Sequence, residues 1–299
     1  EDDISNETNH STAEFDYNFD SNDPVQSPTC KYLTCNQFKH HTENILDDKF
    51  LLLHLNIRSI NKNFDNLQLL LDNTHDKHCS VIGLTETWLS QDTSQLYNLP
   101  GYDFVFNNRQ DKIGGGVGIY ILKNYEYIKH ENLNCMNDVV ESVFAEIIVP
   151  NNKNIFIGVI YRPPKSNVNE FITYIDNLLH NPILGSKDTF LMGDFNIDLI
   201  KHDSDNISQE FADTFMSASF LPLITKPTRV AEQSATLIDN IFSNIIPLPE
   251  SGIILSDITD HYPIFTTSSL KPIEKNKNPH LKKRKFTPEN IRRLQQSLR

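Results

Sequence analysis

The stretch Phe190-Leu191-Met192-Gly193-Asp194-Phe195-Asn196 decides how the rest of the chain is read. Its apolar start has the composition of a buried strand, and it delivers an acid and an amide at its end. Side chains alternate across a strand, so Asp194 and Asn196, two residues apart, point to the same face. Gly193 is expected to let the backbone turn there, projecting both groups from the rim of a sheet into a cleft.

Outward from this strand, other apolar runs also end in polar residues. Phe50-Leu51-Leu52-Leu53-His54-Leu55-Asn56 reads as a short buried strand, and Val81-Ile82-Gly83-Leu84 as a second one followed by Glu86. Between them, Phe64, Leu67, Leu70 and Leu71 fall at helical spacing. Strand, helix, strand in this order sets two strands side by side with their ends at one rim, so Asn56 and Glu86 converge. Tyr102 to Asn107 reads as a strand, and Gly114-Gly115-Gly116 opens another that runs to Ile121. The glycines are read as a bend; a phosphate cradle is the other reading, but no Gly-Lys-Ser/Thr and no helix follow them. Val139 to Val149 and Ile155 to Tyr161 flank a turn-like stretch at 150–154 as a hairpin would, and Pro163-Pro164 stops the pairing. Phe171, Ile175, Leu178 and Leu179 mark a helix. A further helix over 208–219, a strand from Leu237 to Ser243, and strands at 253–255 and 262–267 around Thr259-Asp260-His261 complete the series. Asn56, Glu86, Tyr161, Asp194 with Asn196, Asp239, and Asp260 with His261 thus all stand at strand ends. The pattern predicts an α/β protein, two packed mixed sheets with helices outside, whose site lies on one rim.

With 299 residues, 38% hydrophobic and 10% aromatic, the chain can bury a sizeable core. Residues 1–48 carry 2 basic and 11 acidic side chains, 49–270 carry 15 and 26, and 271–299 carry 10 and 2, so tails of opposite sign flank an acidic body. Such a body does not hold nucleic acid by broad electrostatics, which need many Lys and Arg against phosphate. It does suit an enzyme whose positive charge is supplied locally by a divalent cation. Cys30, Cys35, Cys79 and Cys135 show no metal-binding or redox spacing, nothing reads as a signal peptide, and no apolar run approaches the ~20 residues that span a bilayer. These features lead to the expectation of an intracellular protein without a membrane partner. Residues 1–28 have too few aliphatic side chains to offset chain entropy and read as a disordered acidic tail. Residues 29–48 form a leader of uncertain structure, 49–270 the folded domain, and 271–299 a basic linker.

Taken singly, each polar residue has a plain structural reading: Asn56 and Glu86 as loop residues, Asp239 as a strand-end hydrogen bonder, His261 as a satisfied core histidine. An acid between Ile238 and Ile241 is costly to bury without a partner such as His261, which strengthens Asp239. Together they supply what phosphodiester hydrolysis needs. Glu86, helped by Asn56 and Asp260, suits a hard divalent ion. Asp194 beside Asn196 suits the orientation or deprotonation of water. His261 held by Asp239, with Asn196, suits charge developing on phosphate oxygens, and Tyr161 suits donation to the phosphate or the leaving oxygen.

In order along the chain, Leu55-Asn56, Thr85-Glu86-Thr87, Tyr161-Arg162-Pro163, Gly193-Asp194-Phe195-Asn196, Ile238-Asp239 and Asp260-His261-Tyr262-Pro263 resemble the endonuclease/exonuclease/phosphatase superfamily. More narrowly they resemble the apurinic-type endonuclease domain at the front of the reading frames of non-LTR (LINE-like) retrotransposons, over roughly residues 50–268. The resemblance implies a DNase I-like four-layer α/β sandwich and a Mg²⁺-dependent endonuclease, with Mn²⁺ as a substitute, that nicks double-stranded DNA and leaves a 3′-hydroxyl to prime reverse transcription. It implies a metal role for Glu86, with Asn56 and Asp260 close by. It gives Asp194 the activation of water, Asn196 a phosphate contact, and Asp239 with His261 the scissile phosphate; Arg58, Arg162 and Thr236 are expected to contact the substrate. Tyr161 stands where repair and retrotransposon nucleases have tyrosine and the secreted DNase branch has histidine.

The chain departs from the repair members in two places. Arg58 replaces an acid two residues after the first Asn, which favours a phosphate contact over a second metal ligand. The sole Trp is Trp88, away from the Asp239 segment, so a pocket for an extrahelical abasic sugar is not supported. Lys282-Lys283-Arg284-Lys285 is a basic run, and Thr287-Pro288 starts a helix with Ile291, Leu294 and Leu298 on one face. That stripe, and an opening residue other than Met, lead to the expectation of a longer natural chain continuing into a reverse transcriptase, acting in the nucleus. Two rival readings are another superfamily phosphoesterase, a phosphatase or lipid phosphodiesterase, and an inactive remnant serving as a binding module.

Overall fold

The computed structural model describes residues 14–15 and 29–269, apart from 45–48, 73–78, 91–92, 94–95, 111–112, 150–151 and 186. In chain order its elements are β1 (Cys30–Thr34), α1 (Cys35–Asn44), β2 (Phe50–Asn56), α2 (Ile60–Asp72), β3 (Val81–Thr85), β4 (Tyr102–Asn107), β5 (Val117–Leu122), β6 (Tyr127–Lys129), β7 (Cys135–Met136), β8 (Glu141–Ile147), β9 (Ile155–Tyr161), α3 (Val168–Leu179), β10 (Asp188–Asp194), α4 (Asn206–Ser217), β11 (Leu221–Pro222), β12 (Arg229–Ala231), β13 (Ser234–Thr236), β14 (Asp239–Ser243), β15 (Glu250–Leu255) and β16 (Ile264–Ser268).

Apart from β12 and β13, which form a separate antiparallel ribbon, the strands build two mixed sheets. The first has the order β1-β15-β16-β2-β3-β5-β4, and the second β11-β14-β10-β9-β8-β6 with β7 beside β8. Each contains a parallel pair joined through a helix, β2-α2-β3 and β9-α3-β10. β2 shows why the layers stack. Leu51, Leu53 and Leu55 join Phe38 of α1 and Leu67 and Leu70 of α2 in an outer cluster. Phe50 and Leu52, on the other face, join the core between the sheets with Val143, Val159 and Met192. Beyond the second sheet, α3 and α4 are capped by Asn167 and Asp205, whose side chains accept backbone N–H bonds from their first turns. Helix, sheet, sheet, helix is the four-layer sandwich expected from the sequence.

Two terminal expectations change. Residues 30–44, read as a leader of uncertain structure, supply β1 at the edge of the first sheet, parallel to β15, and α1, whose Phe38 packs on Phe265 at 4.9 Å. Within the tail read as disordered, Glu14 and Phe15 dock on the body: the Phe15 N–H donates to Thr225 O at 2.7 Å and its ring is buried. The basic run at 282–285 and the helix from Thr287 lie outside the described residues. Among the described residues no helix is long and apolar enough to cross a membrane.

Candidate active site

Strand register sets one row of side chains across the second sheet. Glu141 lies opposite Tyr161, Tyr161 opposite Asp194, and Asp194 opposite Asp239. Opposed residues on adjacent strands share a face, so four polar groups stand abreast at one rim. Met192, two residues before Asp194, fills the space where Gly83 of the first sheet has no side chain. The row therefore looks into the gap between the sheets. The opposite face of the same segment is held by Phe195, which packs on Phe211 at 5.3 Å and Phe242 at 5.4 Å against α4.

From the first sheet, alternation brings His54 and Asn56 onto this gap. The Asn56 amide nitrogen donates to Glu86 Oε1 at 2.8 Å and to Asp194 Oδ2 at 2.8 Å, joining the two sheets through one side chain. Asp194 also accepts from the Asn196 backbone N–H at 3.0 Å and its amide at 3.2 Å. Burial and the Asp239 carboxylate raise the Asp194 carboxyl to about 7, against the pull of His261. His261 sits with Nδ1 2.9 and 3.1 Å from the two Asp239 oxygens, and the Thr228 hydroxyl donates to Asp239 at 2.7 Å. Burial alone would lower the imidazolium, but Asp239, Asp194 and Asp260 raise it to about 9. Asp239, likewise opposed by burial, is held low by His261. The pair is thus carboxylate and imidazolium at neutral pH. Burial and the carboxylates of Glu86, Asp194 and Glu141 push the Tyr161 hydroxyl up, so it is a donor and not a base. His54 beneath the pair is driven down to about 4 by burial and stays neutral.

The rim backbone is strained where these groups meet. Six non-glycine residues described have positive φ, and five of them, Arg58, Ser59, Glu86, Trp88 and Asn196, belong to the site. The Glu86 segment is held from behind by the glycine turn: Thr87 and Trp88 donate to the carbonyls of Gly116 and Gly115 at 3.2 and 2.8 Å. The turn is gripped in its turn by Glu141, fully buried, which accepts from Gly116 N–H at 2.5 Å and from Arg109 Nε at 2.6 Å. A carboxylate on the Gly116 N–H settles the glycine stretch as a bend and not a phosphate cradle.

Asn56, Glu86, Tyr161, Asp194, Asn196, Asp239 and His261 are brought together as the sequence suggested. Other expectations change. Gly193 does not turn the chain; an added Cβ would lie 1.8 Å from Ile160 O, so glycine is required by the close approach of β9, and the turn falls at Asn196 with φ 49°. Asn196 donates its amide to Asp194 and to Arg162 O at 2.9 Å, which makes it an orienter of Asp194 in this arrangement. Asp260, expected near the metal, has Oδ1 on Arg58 at 2.6 Å and Oδ2 on Arg229 at 2.8 Å. Burial opposes its ionisation, yet Arg58, His261 and Arg229 hold it at about 2. It is the centre of an arginine pair rather than an available oxygen ligand. Arg162, expected on substrate, is buried and donates to Phe195 O at 2.7 Å and Asn196 O at 2.6 Å, bracing the turn after Asp194. Thr236 lies half-buried in the β12-β13 ribbon, opposite Arg229, the partner of Asp260.

Glu141, Arg109, Thr228 and Thr259 escaped the sequence reading. Glu141 carried a signal, an acid at the head of an apolar run, which is the same clue that singled out Asp239. Thr259 carried none. Its hydroxyl lies 3.0 Å from the carbonyls of both Asn56 and His261, tying the end of β2 to the histidine segment.

Two acidic groupings bear on a metal. Ligand atoms of Asp194, Asp239 and His261 all lie within 4.8 Å of one another. His261 Nδ1 is committed to Asp239 and its ring is protonated, so this trio suits proton handling. Glu86, half-buried at the rim, presents its carboxylate beside the Asn56 amide, which offers an oxygen on turning over, while Asp194 lies buried behind them on the same amide. Hard oxygen donors of this kind fit a divalent ion such as Mg²⁺.

Two packed sheets thus gather Glu86, Asn56, Asp194 and the Asp239–His261 pair at one rim. Residues 53–261 match the Endonuclease/Exonuclease/phosphatase family, and the chain belongs to it. Its fold is similar to that of the endonuclease domain of TRAS1, a telomere-specific non-LTR retrotransposon, at 14% identity, TM-score 0.61, and 76% coverage of this chain and 100% of that one. It is similar to an AP endonuclease from Archaeoglobus fulgidus, at 12% identity, TM-score 0.54, with 73% and 98% covered. It is also similar to the 3′ phosphatase NExo from Neisseria bound to a product DNA hairpin, at 13% identity, TM-score 0.53, with 73% and 98% covered. No curated protein sequence matches the chain.

Proposed function

We propose that the protein is a Mg²⁺-dependent DNA endonuclease of the retrotransposon type, which nicks double-stranded DNA and leaves a 3′-hydroxyl that primes reverse transcription. The observation that carries this reading is the Asn56 amide holding Glu86 and Asp194 together beside the Asp239–His261 pair. Similarity in fold to the TRAS1 endonuclease domain over that domain's full length supports the retrotransposon type. The reading extends to a reverse transcriptase region of the same polyprotein and to action in the nucleus.

Asp194, poised near neutrality, takes the proton of the water that attacks phosphorus. The P–O3′ bond breaks, phosphate stays on the 5′ side, and the leaving 3′ oxygen takes a proton from Tyr161, whose hydroxyl burial keeps protonated. The His261 imidazolium, oriented by Asp239, stabilises charge on a non-bridging oxygen. Glu86, with Asn56, would hold the ion, which supplies further charge neutralisation at the phosphate. The test is a labelled duplex incubated with the full chain and Mg²⁺. Internal cleavage whose products a polymerase extends supports the reading. Release of phosphate from 3′-phosphorylated ends without internal cleavage would move the assignment to a phosphatase.

A further inference from the structure

Beside Asn56 and Glu86 the surface opens into a groove of about 470 Å³, lined in part by Arg58, Lys62, Asn63, Trp88 and Asp260. Trp88 is 42% exposed, the one aromatic ring among the large hydrophobic residues exposed in the described chain. It is not a loose surface side chain. Its backbone is left-handed at φ 54°, its N–H is bound to Gly115 O at 2.8 Å, and its indole N–H reaches Glu86 Oε2 at 3.3 Å. A ring pinned in this way and left open to solvent presents a fixed flat face. Arg58 and Lys62, both exposed, put two cations on the same groove; Arg58 is bound to Asp260, which Arg229 also neutralises from outside the groove, and Glu86 lies at the indole edge. In a body with a large excess of acid this is a local cationic and aromatic spot.

A flat aromatic face beside cations is the chemistry that holds a nucleic-acid strand whose bases are partly unstacked. We propose that this groove is a nucleotide subsite of the enzyme: Trp88 stacks on one base of the strand that passes Glu86, while Arg58 and Lys62 take the flanking phosphates. The assignment rests on the DNA-nuclease reading above and goes beyond it by naming where and how the strand is held. Stacking accepts any base, so the subsite gives grip without sequence readout. DNA with a mismatched or unpaired step at this place binds better than a perfect duplex, because the base is already out of the stack.

Trp88 is the only tryptophan in the chain, so its fluorescence reports on this groove alone. The full chain in EDTA is titrated with a short DNA carrying one unpaired base, and binding is followed in parallel by anisotropy of a label on the DNA. The expected result is quenching of Trp88 along the same isotherm as the anisotropy, with affinity lowered about tenfold by Trp88→Ala. Trp88→Phe, which keeps a ring but lacks the N–H to Glu86, retains most of the affinity. Lys62→Gln weakens binding and makes it less sensitive to salt. DNA binding by anisotropy with unchanged fluorescence and undiminished affinity in Trp88→Ala would overturn the subsite while leaving the nuclease reading standing. Absence of any DNA binding by the folded wild-type chain would overturn both.

Discussion

Replacing Asp194 by Asn should make the metal-free protein more stable while abolishing its activity. Burial and the neighbouring Asp239 move this carboxyl from 3.8 to about 7, so folding holds a proton that the unfolded chain gives up. For an acid whose folded value is raised, stability is full below about 4, falls as the unfolded state ionises, and levels off above about 7. The whole displacement corresponds to about 4 kcal/mol of stability withheld at pH 8. Asn has the same shape and does not ionise. It must accept the Asn196 N–H with its oxygen while its amide now faces that of Asn56, a mismatch of about 1–2 kcal/mol. The variant should therefore gain about 2–3 kcal/mol at pH 8 and lose about 1–2 at pH 4. Urea unfolding in EDTA at the two pH values measures both. A pH-independent difference, or a variant less stable than wild type at pH 8, would refute the claim that Asp194 is an energetically unfavourable acid kept for its chemistry.

Glu141→Gln or Arg109→Met alone should each destabilise by about 3 kcal/mol, because each leaves a largely buried charge without its partner, and the double substitution should recover most of the loss; urea unfolding of the full cycle checks it, and simple additivity would show the pair to be uncoupled. Gly193→Ala, whose Cβ would strike the backbone oxygen of Ile160, should cost more than about 3 kcal/mol, whereas Gly83→Ala, which meets the side-chain ends of Met192 and Val159 at 2.5 and 2.7 Å, should cost about 1–3; equal thermal shifts would contradict the assigned contacts. Activity at saturating Mg²⁺ should fall on the alkaline side as His261 loses its proton near 9. Asp239→Asn removes the charge that raises His261, so the alkaline limb of the rate profile should move to lower pH; an unmoved limb would mean that another group sets it.

The layered fold was legible because the strands are apolar enough to be seen singly and their polar ends all fall at one rim. Asp239 and His261 could be paired in advance, since an acid among isoleucines demands a partner. What alternation and composition do not carry is the pairing of long side chains across the sheets. Nothing in the order of residues says that Arg58 and Arg229 close on Asp260 from opposite sides, or that Arg162 turns inward to brace carbonyls instead of facing substrate. Gly193 misled because glycine signals both turns and close approaches, and only the position of Ile160 O distinguishes them. Residues 30–44 were obscure for a similar reason: β1 is a short edge strand of mixed polarity, made regular by its partner β15 some two hundred residues later.

The most direct test is nicking of supercoiled plasmid by the full chain with Mg²⁺, with EDTA, and with Asp194→Ala and His261→Ala. Conversion to the open circular form that needs the ion and is lost in both variants, each shown to be folded, is the predicted result. A folded wild-type protein that leaves the plasmid supercoiled in Mg²⁺ and in Mn²⁺, or nicking that survives both substitutions, would contradict the assignment of this site as the nuclease centre.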